Sequence, residues 1–186
     1  MERLYPWYLK YHSQTSFFEV TQFFANKMIK LIFGTYDGEK KVEIFLTVQE
    51  ARQIEDDIRS GRILARLKEA KENETVYETQ AKGKGGRYRY FSIIRGSKAP
   101  YVLVGQSGPG EETSRGLVKI AGAPDTTVIV PVPQLHDNIP GADGKTAMKA
   151  GGLKALADAL SDAAADCYEY TLISWMSGRD ERGGEE

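Results

Sequence analysis

Residues 28–47 read MIKLIFGTYDGEKKVEIFLT, two alternating apolar runs on either side of an Asp37-Gly38 pair. Ile29, Leu31 and Phe33 in the first run, and Val42, Ile44 and Leu46 in the second, recur at every other position. That period sends one set of side chains to one face of a strand and the intervening set to the other. Asp-Gly between such runs is a strong hairpin signal, because the tight turns that match strand twist need positive φ at their central positions. The stretch therefore predicts strands over Met28 to Tyr36 and Lys40 to Thr47, joined as an antiparallel hairpin.

On the C-terminal side, Thr47-Val48-Gln49-Glu50 has the spacing of a capping box, in which the hydroxyl and the carboxylate each accept from the other's backbone N–H. A helix is expected from here. Ala51, Ile54 and Ile58 follow helical spacing, while Ile63, Leu64 and Leu67 lie on a shifted stripe after Gly61. The helix should kink or restart near Ser60-Gly61 and run out by about Glu72. On the N-terminal side, Ser16 to Phe24 is aromatic and β-branched and reads as a strand. The first fifteen residues, with Tyr5, Trp7, Tyr8 and Tyr11, follow no clear period and are interrupted by Pro6, which suggests an arm that packs on another surface.

Farther along, Arg87 to Arg95, Tyr101 to Val104, Leu117 to Ile120 and Thr126 to Val132 read as four short strands. The separators, Gly105 to Gly110 among them, are rich in Gly, Ser and Pro. Leu153, Leu156, Ala157, Leu160 and Ala164 place a helix at roughly 147–168, and the polar, Gly-rich tail over 178–186 is expected to be disordered. The order strands, helix, strands, helix defines an α+β class with mainly antiparallel sheet. It fits one domain over 16–177, with half-repeats at about 16–72 and 79–168.

Composition is that of an ordinary globular protein, with 41% hydrophobic and 27% charged residues and a net charge of −1. A globally basic nucleic-acid binder is excluded, but positive charge concentrated on one face is not. The lone Cys167 excludes an intrachain disulfide and a cysteine-rich zinc site, and with no continuous apolar run it favours a cytoplasmic protein without a membrane span.

Several segments look chemical and carry a plainer reading. Gly141 to Thr146 has only two residues before its Gly-Lys pair, where a phosphate-binding loop needs four, so it reads as a turn. In Gly105 to Gly110, Pro109 stands where a nucleophile elbow needs glycine. His12 and His136 are the only histidines, the pairs Asp56-Asp57 and Glu111-Glu112 suit a solvated face, and Cys167 suits a small buried hydrophobe. No metal site and no cofactor is implied.

One segment departs from the average. From Thr79 to Gly110 there is no acidic residue, while Lys82, Lys84, Arg87, Arg89, Arg95 and Lys98 are basic and Tyr88, Tyr90, Phe91 and Tyr101 are interleaved with them. Alternation puts Tyr88 and Tyr90 on one face of the strand and Arg87, Arg89, Phe91 and Arg95 on the other. Single-stranded nucleic acid asks for this mixture, with cations along the phosphates and flat rings under the bases. The Gly-rich approach Lys82-Gly83-Lys84-Gly85-Gly86 lets backbone come close to a phosphate. An alternative is that the arginines discourage pairing at a sheet edge and the tyrosines are core.

Strands then helix, given twice, with Lys82-Gly83-Lys84 beside an aromatic strand, resembles the Whirly and related transcription-coactivator fold over residues 16–168. The resemblance implies single-stranded DNA binding on sheet surfaces and homo-oligomers joined through helices. In that family the lysine-glycine element lies in the first repeat, whereas here it opens the second. The expected function is therefore binding of single-stranded nucleic acid, DNA before RNA, and not catalysis. Two rivals remain: an interaction module using the N-terminal aromatics with Tyr168, Tyr170, Trp175 and Met176, and an enzyme with a site around Gly105 to Glu112.

Overall fold

A computed structural model describes residues 7–23, 26–82, 86–112, 114, 118–120, 122–132, 138–140, 147–149 and 151–180. The hairpin at 28–47 is the centre of the first sheet. Strands β1 (Trp7–His12), β2 (Ser16–Phe23), β3 (Met28–Thr35) and β4 (Lys41–Thr47) pair antiparallel in sequence order. The turn differs from the tight two-residue form. Five residues connect β3 to β4, Gly38 alone has positive φ, and the Asp37 carboxylate accepts from the Glu39 N–H at 3.0 Å and from the Thr35 hydroxyl. The aspartate side chain thus satisfies the loop amide locally, as Asx turns do.

Thr47 caps α1 (Val48–Arg59) with the full reciprocal box: the Glu50 N–H donates to Thr47 Oγ1 at 3.2 Å, and the Thr47 N–H donates to Glu50 Oε2 at 2.7 Å. Gly61, with φ +77°, ends that axis and starts α2 (Arg62–Glu69), so the apolar stripe shifts there. The second sheet holds β5 (Thr75–Lys82), β6 (Arg87–Arg95), β7 (Tyr101–Glu112), β8 (Val118–Ile120) and β9 (Thr126–Pro131), all antiparallel. β9 pairs with Val102–Ser107 of β7 and β8 with Gly110–Glu112, so they share one long edge. A short pair, β10 (Asn138–Pro140) with β11 (Ala147–Lys149), precedes α3 (Gly151–Asp180).

The core face of the first sheet is Phe18, Val20, Ile29, Leu31, Phe33, Val42, Ile44 and Leu46, and that of the second is Phe91, Ile93, Leu103, Val128 and Val130. The sheets meet face to face where the Phe91 ring lies 6.4 Å from Phe18 and 6.1 Å from Phe33 between centroids. The buried Ser16 hydroxyl donates across this junction to the Ile129 carbonyl at 2.7 Å. The rest of the first sheet's core face is covered by α1 and α3. Ala157, Ala163 and Ala164, all buried, form the small-residue side of α3, which packs along α1.

Several elements depart from the sequence reading. The N-terminal arm is in part a strand, β1, whose bulge between Trp7 and Leu9 breaks the alternation that would have revealed it. β5 is an unforeseen strand in which Val76 alone is fully buried among the described side chains. Gly105 to Gly110, expected as a loop, continues β7, because its glycines admit rings: a Cβ at Gly105 would stand 2.6 Å from the Phe33 side chain, and one at Gly110 would overlap the Tyr88 ring. α3 starts at Gly151 and runs to Asp180, well past 168, so 178–180 of the expected tail is helical. Residues 1–6, the Gly141 to Thr146 turn, His136 and the tail over 181–186 lie outside the described residues.

Candidate nucleic-acid interface

The basic strand is where the sequence put it, but its surroundings divide the expected site. Relative exposures of 4% for Tyr88, 5% for Tyr90, 1% for Phe91 and 2% for Tyr101 leave no ring face open, which corrects their assignment as stacking residues. Both faces of β6 are covered from Tyr90 to Ile93, while Arg87 and Arg89 stay partly exposed. Phe91 and Tyr101 belong to the core, Tyr88 lies against Gly110, and the Tyr90 hydroxyl accepts from the Ile120 N–H at 3.1 Å.

The cations separate as well. Arg95 Nη1 donates to the Pro100 carbonyl at 2.8 Å and stabilises the β6–β7 turn, with exposed Lys98 beside it. Arg87 and Arg89 lie toward the opposite end, roughly 26 and 20 Å from Arg95 at ~3.3 Å per residue. The Lys82 side chain and the whole of Lys84 lie outside the described residues. Arg87 Nη2 donates to both oxygens of Asp125 at 2.6 and 2.7 Å and to Ser107 Oγ at 3.2 Å. Arg89 extends toward the first sheet, its guanidinium 5.7 Å from the Phe45 ring centroid.

Phe45 is the link to a surface that the sequence reading passed over, the outer face of the first sheet. Strand register sets its rows: Lys10, Glu19, Ile32 and Glu43 in one, and Trp7, Thr21, Lys30 and Phe45 in the next. Phe17 covers Gly34 at one end and packs 5.5 Å from Tyr36, itself hydrogen-bonded to His12; at the other end Phe23 packs 5.7 Å from Phe45. Trp7, Thr21, Gln22, Phe23, Lys30 and Ile32 enclose a shallow pocket on this face. The signal was present in the hairpin itself, whose outward positions carry Ile32 and Phe45 where a purely solvated face carries polar residues.

Charge on this face favours cations. Lys10 bonds Glu19 at 3.3 Å and sits 3.5 Å over the Trp7 ring, and Lys30 and Lys41 each bond Glu43 at 2.7 Å. Lys10, Lys30, Lys41 and Arg89 thus face two carboxylates. Burial raises the pKa of Glu43, but hydrogen bonds from Lys30 and Lys41 outweigh it and hold the carboxyl below its ordinary value. The bond from Arg87 does the same for Asp125 at the rim.

No family model matches this chain, and no curated protein is detectably similar to it. Among the described residues, no helix is long and apolar enough to cross a membrane, and no three His, Cys, Asp or Glu side chains are grouped to hold a metal ion.

Proposed function

We propose that the protein binds single-stranded nucleic acid, DNA before RNA, across the outer face of its first sheet. One observation carries this: Trp7, Phe17, Phe23 and Phe45 share an open antiparallel sheet face with Lys10, Lys30 and Lys41, and Arg89 joins it from the second sheet. Bases stacking on such rings gain about 1–3 kcal/mol each, and the lysines exchange Glu19 and Glu43 for phosphates as the strand settles. A Whirly-like ancestry and a cytoplasmic setting belong to the same proposal, the first resting on the order of strands and helices in each half.

The test is fluorescence anisotropy of labelled oligothymidine, a matched RNA and a duplex with micromolar protein at low salt. Single strands should bind and the duplex should bind less. Trp7→Ala should weaken binding by about 1–3 kcal/mol while leaving the salt dependence unchanged, because stacking releases few ions. Lys10→Ala should flatten the salt slope by about 0.7. Absence of single-strand binding by the wild-type chain would refute the reading.

A second reading, self-association, rests on α3. Tyr168, Tyr170, Leu172, Ile173, Trp175 and Met176 hold six of the nine large apolar side chains that are exposed among the described residues. Together they present on the order of 600 Å2 per chain, so two copies that buried all of it would reach the ~1,200 Å2 lower end of a standard interface. Light scattering should report a homodimer or larger, and Leu172→Lys with Ile173→Lys should yield monomer. A wild-type monomer at 50-fold above about 1 μM would remove this reading without touching the first.

A further inference from the structure

Where β4 meets β6, β7 and β9, the two sheets form a seam that contains a cavity of about 210 Å3 lined by Lys41, Val42, Glu43, Arg87, Arg89, Ser107 and Thr126. We infer that this seam is a site for one phosphate group, a backbone phosphodiester of the bound strand, and that Asp125 stands in for that phosphate on Arg87 while the site is empty. The inference rests on the proposed function and names a phosphate subsite within it.

Register assembles the donors. Arg89 pairs with Ser107, and Ser107 pairs with Thr126, so a guanidinium and two hydroxyls stand in one row across three adjacent strands at ~4.8 Å spacing. Arg87, two residues before Arg89, points to the same face. Lys41 and Glu43 close the cavity from the first sheet. Glu43 is the one carboxylate in the lining, and it is already engaged by Lys30 and Lys41.

Arg89 is half-buried and, among the described residues, forms no ion pair, although Glu43 lines the same cavity; its guanidinium lies 5.7 Å from the Phe45 ring centroid. A partly desolvated guanidinium with five N–H donors is an incomplete arrangement, and an oxyanion completes it. Arg87 shows what the completion looks like. Both it and the Thr126 hydroxyl, at 3.1 Å, donate to Asp125 Oδ1, the coordination that a phosphate oxygen would receive. Every bond Arg87 makes among the described residues uses Nη2, so its Nε–H and Nη1–H can each take a single contact with phosphate, and a bidentate fork, which needs Nη2, forms when Asp125 gives that nitrogen up.

Asp125 therefore serves two ends. It orients Arg87 before the ligand arrives, and its own charge opposes the ligand's. Replacing it with asparagine keeps an acceptor for the arginine and removes the opposing charge.

The test uses the full chain. Oligothymidine affinity and salt slope are measured for wild type, Arg89→Ala, Arg89→Lys and Asp125→Asn, and the Arg87 and Arg89 side-chain Nε–H signals of the wild type are followed by NMR during titration with inorganic phosphate and with thymidine monophosphate. Arg89→Ala should lose about tenfold in affinity and about 0.7 in salt slope. Arg89→Lys should restore the slope but not the affinity, and Asp125→Asn should tighten binding several-fold. Wild-type affinity and slope in Arg89→Ala, with Trp7→Ala still impaired, would overturn the subsite and leave the nucleic-acid reading standing. If no strand binds, the NMR arm decides the subsite: an Arg89 shift with either small phosphate assigns it to a free phosphate or phosphomonoester, and unmoved signals overturn it.

Discussion

Phe91→Ala separates the two accounts of the basic strand. A ring presented for stacking is lost at little expense to the fold, whereas the Phe91 described here is buried and touches three other aromatic rings, Phe18 at 6.4 Å, Phe33 at 6.1 Å and Tyr77 at 6.4 Å between centroids. It is the residue through which the second sheet contacts the phenylalanines of the first. Truncating a buried phenylalanine costs about 3–5 kcal/mol. The high end applies, because the neighbours sit on two different sheets and cannot close the gap without moving one against the other. With a urea slope near the upper end of ~1–3 kcal/mol/M for a chain of this size, the unfolding midpoint should fall by about 1–2 M. Urea denaturation followed by tryptophan fluorescence and by circular dichroism would measure it. A midpoint shift corresponding to less than about 1 kcal/mol would refute the face-to-face packing of the sheets. Phe45→Ala is the matched control, and its shift should be a small fraction of that of Phe91→Ala.

Three further outcomes follow from local geometry. Thr47→Ala should lower stability by about 0.5–2 kcal/mol through loss of the reciprocal cap, read from the same midpoints, and Thr47→Ser should restore most of it. Gly110→Ala should cost more than the ~1–3 kcal/mol of ordinary overpacking, because the new methyl overlaps the Tyr88 ring; adding Tyr88→Leu should recover part of the loss, a non-additivity visible in thermal melts. Glu43 has a lowered pKa when folded, so it adds stability above its unfolded pKa of about 4.3, and that stability disappears as pH falls through the lower folded value. The stability gap between wild type and Glu43→Gln should therefore be full at pH 7 and close below about pH 4; a gap independent of pH would exclude the lysine pairing as its source.

The parts of the fold legible in the sequence are those whose signals are local. The hairpin at 28–47, the Thr47 cap and the break at Gly61 each depend on residues a few positions apart, and each appears where its pattern lies. In β1 a bulge shifts the register by one and hides the alternation, and in β7 the glycines carry a loop signal inside a strand. Their reason is distant: Gly105 makes room for Phe33, a residue of the other sheet. The site failed in the same manner. Alternation correctly put Arg87 and Arg89 on the face of Phe91, but it carries no information about where along β6 the covering sheet ends. A tyrosine buried with a bonded hydroxyl, like Tyr90, looks in sequence like one waiting for a base.

α3 joins two surfaces that never touch. Its first half is fixed in rotation by Leu153, Leu156, Ala157, Leu160, Ala163, Ala164 and Cys167, all buried, and the exposed run Tyr168, Leu172 and Trp175 lies roughly a quarter turn round the same axis. The bearing of the exposed run is thus set by packing several turns away. One residue inserted between Cys167 and Tyr168 would swing that run by about 100° while leaving the buried residues up to Cys167 in place, and three or four would bring it nearly back into phase. Chain length in this short interval behaves as an angular variable, and whatever the helix meets outside the domain is chosen by the clock of its interior.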